Sequence, residues 1–158
     1  MTRILAAVAL AALAAVALVG PGASAQAGRT ISLTELEKGA TFKHIRNTKT
    51  KSRLANSLGD AIVFTNRVAD PSGKVVGRNH AACATTVGAR NFPKSDMTCN
   101  GSLVLADGTM SWQGTFNAGS SSSTGTVTGG TGAYANVRGV FVSAQDSKGT
   151  HDTITLAG

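Results

Sequence analysis

From Phe42 onward, short runs rich in Val, Thr and Phe alternate with Gly, Asp, Pro and Ser, and nothing carries the spacing of an amphipathic helix. This pattern predicts short antiparallel strands closing into a sandwich or barrel. Strands are expected at residues 42–47, 124–128, 140–144 and 153–156, besides those of two hairpins. The stretch "ISLTELEKG", residues 31–39, reads as a marginal helical turn with Thr34 and Glu37 spaced as a capping box, or as an arm preceding the barrel.

The hairpins are read by register. Asp107-Gly108 is a two-residue turn signal, because both positions tolerate positive φ. Pairing Ala106 with Thr109 places Leu105 opposite Met110, Leu103 opposite Trp112, Gly101 opposite Gly114 and Cys99 opposite Phe116. One face is then apolar or small, and a one-residue slip would scramble it. If Cys83 bonds Cys99, it shares that face, so Val75, Gly77, Asn79 and Ala81 also point inward while Val76, Arg78 and His80 point outward. The turn Asp70-Pro71-Ser72-Gly73, with Ala69 paired to Lys74, adds Val68, Asn66, Phe64, Ile62 and Asp60 to the inner face. Eight short strands suffice for a small barrel that holds one ligand.

The first 25 residues change the picture of where the protein works. Arg3 precedes an uninterrupted apolar run, residues 4–19, which Gly20-Pro21 breaks before Ala23-Ser24-Ala25. The run is shorter than the roughly 20 residues of a membrane span, so it reads as a secretory signal cleaved after Ala25, with a retained N-terminal anchor as the alternative. The chain then divides into a leader (1–25), an arm (26–41) and one barrel domain (42–158). Two cysteines in an exported chain read as a disulfide, Cys83 to Cys99, or else as paired free thiols. Three scattered histidines offer no metal-ligand spacing, and neither a metal nor another cofactor is expected.

The chain is basic, with 15 Lys+Arg against 8 Asp+Glu. Residues 38–53 hold Lys38, Lys43, Arg46, Lys49, Lys51 and Arg53 without an acid after Lys38. Such a stretch suits an anionic envelope polymer, or is simply a solvated strand edge and loop. It lacks the interleaved aromatics that stack bases, so no nucleic acid is expected.

"GGTGAYANVRG", residues 129–139, contains a G-x-G-x-x-A pattern, but a strand follows it and no β-α alternation surrounds it, which excludes a nucleotide site. Instead it resembles the G-G-T-G-x-[FY]-x-x-[AV]-R-G signature of the dirigent and allene oxide cyclase barrel superfamily. The co-linear "SLGDAIVFTNRVADPSGKVVGRNHAAC", residues 57–83, is similar to the bacterial version's segment. The resemblance implies an all-β, small eight-stranded antiparallel barrel with a hydrophobic cavity, in many members a homotrimer. It also implies a hydrophobic small molecule in the lumen and a cofactor-free, non-redox cyclisation or stereoselective coupling. A carrier or envelope-interaction protein without chemistry is the other reading. The acidic residue that plant dirigents carry on the first strand is not matched by "FKHIRN", residues 42–47.

Among inward positions, Asp60 is the candidate acid or base, or else a cap on its own loop. Asn66 and Asn79 are candidates to bind a ligand carbonyl or hydroxyl. Phe64 and Trp112, the single tryptophan, are candidate walls. Tyr134 and Arg138 match the aromatic and arginine of the signature, as ligand contacts or as ties for the glycine-rich crossover.

Overall fold

The computed structural model describes residues 28–47 and 55–157. The leader with its cleavage point, and Lys49, Lys51 and Arg53 of the basic stretch, lie outside the described residues.

Nearly all of the described chain is sheet. The strands are β1 (Thr30–Ile45), β2 (Ala61–Ala69), β3 (Val75–Val87), β4 (Asp96–Leu105), β5 (Gly108–Asn117), β6 (Ser122–Gly130), β7 (Arg138–Asp146) and β8 (Gly149–Ala157). They form a closed antiparallel barrel in chain order, and β1 completes the ring against β8. The expected eight-stranded barrel is therefore the fold, and Cys83 and Cys99 are bonded as directly opposed partners on β3 and β4.

The N-terminal segment departs from expectation. Residues 31–39 are neither helical turn nor arm, for β1 begins at Thr30 and its first half pairs with β8 from Thr30↔Thr155 to Glu35↔Thr150. The alternation Ile31, Leu33, Glu35 is the strand signal. Its partner is the far end of the chain, so no local pattern reveals the pairing.

Both hairpin registers are shifted by two residues, which preserves the faces. Leu105 pairs with Gly108, so Leu103 lies opposite Met110, Gly101 opposite Trp112, Cys99 opposite Gly114 and Met97 opposite Phe116. The loop is Ala106-Asp107, and the crossover fixes it: the Asp107 carbonyl accepts from Ala133 N–H at 2.8 Å, and its carboxylate from the Tyr134 hydroxyl at 3.2 Å. In the other hairpin Ala69 pairs with Val75 and Val68 with Gly77, leaving Val76 in a bulge. The Asp70 N–H donates to the Lys74 carbonyl and Asp70 Oδ1 accepts from the N–H groups of Ser72 and Lys74, which makes the loop longer than a tight turn. The bulge reverses the expectation for two valines: Val75 is 45% exposed, whereas Val76 packs against the core.

The interior divides along the barrel axis. Leu33, Val68, Leu103, Met110, Val127, Tyr134, Phe141, Ile154 and Leu156 fill one end completely. Around the disulfide, Ile62, Ala81 and Trp112 pack with Phe64, Met97 and Phe116 on one side only. The space left opposite them is the cavity.

Candidate functional site

The cavity has a volume of about 530 Å³ and opens at the barrel end where β1, β3, β5 and β7 finish. Its walls are Phe64, Met97, Trp112, Phe116, Phe141 and the disulfide. Trp112 stacks on Phe141 with centroids 5.0 Å apart and planes 10° apart, and Phe116 leans on it at 6.1 Å. This flat aromatic wall depends on Gly101 directly opposite, because a Cβ there would sit 2.1 Å from the indole ring. Phe42, 67% exposed, stands at the rim.

The floor is polar. Asn66 Nδ2 donates to Glu35 Oε2 at 2.5 Å, Asn79 Nδ2 donates to Glu35 Oε1 at 2.8 Å, and Trp112 Nε1 donates to Asn79 Oδ1 at 3.0 Å. Both oxygens of one carboxylate are thus held by amide donors, and the Asn79 amide is itself oriented by the indole. Such a chain keeps Glu35 in one rotamer within an apolar enclosure, where a charge acts more strongly than in water. Beside it, β1 swings out of register between Leu36 and Thr41. Gly39, at φ +83°, lets the chain turn there, and the Arg67 guanidinium donates twice to the Lys38 carbonyl, at 3.1 and 2.6 Å. The displaced segment leaves a recess of about 140 Å³ next to Glu35.

The first strand therefore does carry an inward acid, because it starts well before "FKHIRN". A helical turn or arm over residues 31–39 hides Glu35, whereas as part of β1 it alternates inward with Ile31 and Leu33. Asp152, on β8, escaped notice for a related reason: the alternation Asp152, Ile154, Leu156 puts a carboxyl in series with two core residues, but only the later two look like a core. It is 2% exposed and lies behind the floor. Burial first, and then the Glu35 charge, push its carboxyl up to about 7 from 3.8, with the Ser143 hydroxyl opposing.

The structure brings Phe64, Asn66, Asn79 and Trp112 together around this cavity. Asp60 is elsewhere, fully buried at the corner where the chain enters β2. Its Oδ1 accepts from Asn47 N–H at 2.7 Å and its Oδ2 from Ser57 N–H at 3.0 Å, with His44 Nε2 at 3.4 Å. Burial alone would raise its pKa, but these two N–H groups and His44 bring it below the ordinary value. It does not line the cavity. Tyr134 and Arg138 do not either. Tyr134 plugs the closed end, hydrogen-bonded to Asp107 and covered by the Arg29 guanidinium 5.6 Å from its ring centre. Arg138 is exposed and donates to the Val137 carbonyl at 2.9 Å. The glycine-rich crossover closes the barrel bottom, which takes both signature residues away from any lumen ligand.

A second depression, about 780 Å³, crosses the outer face over Lys43, Val63, Thr65, His80, Asn100 and Gln113. It is open to solvent and encloses no buried polar group, so the lumen is the better site. No group of His, Cys, Asp or Glu among the described residues could hold a metal ion.

The architecture places the chain among small closed antiparallel β-barrels with an internal cavity. Residues 41–155 match the allene oxide cyclase barrel like domain, and the chain belongs to that family. Among solved structures it is similar to pyocyanin demethylase, at 20% identity and TM-score 0.64 over 82% of this chain and 99% of that one. It is also similar to the pterocarpan synthase dirigent protein GePTS1, at 13% identity and TM-score 0.59 over 83% and 84% of the two chains. The Diels-Alderase AbmU from Streptomyces koyangensis matches at 11% identity and TM-score 0.57, over 85% and 70%. These identities speak for the fold alone. Comparison with the curated proteins finds no match.

Proposed function

We propose that this barrel binds a hydrophobic, unsaturated small molecule in its lumen and guides a non-redox cyclisation or coupling, with Glu35 as the group at the reacting centre. The observation that carries the reading is a single carboxylate, fixed by Asn66 and Asn79, at the base of an aromatic-walled cavity. The volume falls in the range of small-molecule sites, roughly 300–1,000 Å³. Aromatic walls hold a flexible substrate in one conformer, which removes most of the entropic barrier to ring closure. The carboxylate takes a proton from the substrate or stabilises positive charge developing on it. Solved relatives include a demethylase, a dirigent protein and a Diels-Alderase, which fits a shared scaffold with variable chemistry. Export is part of the same reading, supported by the apolar leader with its small-residue cleavage pattern and by the disulfide.

Native mass spectrometry of the chain purified from its own culture supernatant tests this, comparing wild type with Glu35→Gln. The expected result is a discrete small molecule on both proteins, in converted form on wild type and unconverted on the variant. Identical cargo on both would overturn the role of Glu35 and leave a carrier. A chain that carries nothing and binds no hydrophobic dye in the lumen would overturn the cavity reading.

A further inference from the structure

Asp152 is the buried group that the reading above leaves unused. Along the barrel wall it faces Ser143 of β7 on one side and Leu33 of β1 on the other, and Glu35 is the next inward residue along β1. Asp152 Oδ1 is buried without a hydrogen-bond partner. From β1 the charged group facing it is Glu35; from β7 it is met by the uncharged Ser143. Asp146 and His151, the other titratable groups at this end of β7 and β8, pair with each other at 3.4 Å in exposed positions. Glu35 and Ser143 both line the cavity, whereas Asp152 lies behind them. Two facing carboxyls in such an enclosure ionise together only at a cost, and a carboxyl oxygen without a donor fits the protonated form.

We propose that Asp152 holds a proton behind the Glu35 carboxylate at the base of the lumen, and that Ser143 passes it to an oxygen of the bound molecule. This inference rests on the reading of Glu35 as the group at the reacting centre, and it names the substrate class: a molecule bearing both a hydroxyl and a conjugated carbonyl. Glu35 takes the hydroxyl proton, and the freed oxygen pair forms a bond to the far carbon of the conjugated system. The displaced π electrons move onto the carbonyl oxygen, which takes the Ser143 proton to give an enol. Ser143 is refilled from Asp152, and Asp152 then recovers the proton held on Glu35. No electron or proton is gained or lost overall. Asp152 is a positioning residue, acting through its two neighbours.

The molecule carries its own reporter. Trp112 is the single tryptophan, and its indole N–H reaches Glu35 through Asn79. Fluorescence of the ligand-free protein is therefore expected to change in one step centred near pH 7, and Asp152→Asn is expected to abolish that step. Carboxyl carbon NMR on the same samples should show the Asp152 resonance following the same step. Glu35→Gln should lower the Asp152 midpoint by about one unit or more, whereas Ser143→Ala should raise it. An Asp152 resonance titrating in the ordinary carboxylate range overturns the stored proton. For the substrate class the probe is an ortho-hydroxy chalcone, whose ring closure bleaches its absorbance. Wild type should accelerate closure over background, the acceleration falling about tenfold per pH unit above the step, and Asp152→Asn should lose about a hundredfold. No acceleration by wild type overturns the substrate class. The titration needs no ligand, so its failure overturns the stored proton alone and leaves Glu35 to act singly. An empty lumen in mass spectrometry and dye binding would overturn the cavity reading even with the titration intact.

Discussion

Asp60 sits at the corner where the chain enters β2, and Asp152 sits behind the cavity floor on β8. Both are almost wholly hidden from water, yet their surroundings act in opposite directions. At the corner, two backbone N–H groups and a histidine converge on the carboxylate, and its pKa falls. Behind the floor, a hydroxyl is the only favourable neighbour and a second carboxylate faces the first, so the pKa rises to about 7. Burial by itself does not mark a functional acid. What distinguishes the two carboxyls is whether each oxygen has a donor. Asp60 receives a backbone N–H on each of its oxygens, while Asp152, directly behind the cavity floor, keeps one oxygen without a hydrogen-bond partner.

The largest expected effect reads this contrast as stability against pH. Asp152 keeps its proton in the folded state up to about pH 7, while in the unfolded chain it ionises near 3.8. Between these values the folded state binds the extra proton, so this group's contribution to stability declines as pH rises through the window. Between pH 5 and pH 8 this amounts to about 3 kcal/mol. Urea unfolding at pH 5 and pH 8 should therefore show wild type losing stability at the higher pH, with Asp152→Asn nearly level. Asp60, Asp70 and Asp146 have lowered values, so their contributions fade only below the ordinary carboxylate range and do not confuse the comparison. A wild-type profile as flat as the variant's would break the contrast.

Asp60→Ala comes next in size. It strands the part-buried N–H groups of Asn47 and Ser57, and a loss of about 2 kcal/mol is expected at any pH from 5 to 8. The same urea measurement checks it. A loss confined to one end of that pH range would mean that the corner behaves like the floor.

The two regions also differ in how far the sequence reveals them. The inward face of β2 to β5, the disulfide and the four residues Phe64, Asn66, Asn79 and Trp112 follow from alternation between recognisable turns. Parity survives even where the register is two residues out. The floor acids do not follow, because Glu35 pairs with β8 across almost the whole chain, and the β7–β8 hairpin that carries Asp152 does not by itself show that its inner face meets Glu35. A carboxylate placed in a period-two series with Ile and Leu is the signal that was present. Tyr134 and Arg138 mislead for the opposite reason. Their glycine-rich setting serves the Asp107 turn and the closure of the barrel, where Gly132 at φ +59° lies against the Asp107 carbonyl.

The smallest expected effect is the sharpest on function. Glu35→Gln removes the charge facing Asp152 while keeping the side chain's length, and one amide–amide mismatch with Asn66 or Asn79 offsets the relief. At pH 5, where Asp152 is protonated in either protein, thermal unfolding should differ from wild type by less than about 1 kcal/mol. At pH 8 the variant should be the more stable, because the repulsion from Glu35 is gone while the burial of Asp152 remains. A residue that can be neutralised without loss of fold, yet whose loss leaves a bound molecule unconverted, belongs to the chemistry of the lumen. If Glu35→Gln unfolded as readily as Asp60→Ala, Glu35 would instead be a second structural clamp, and the floor would be no more than another satisfied corner of the barrel.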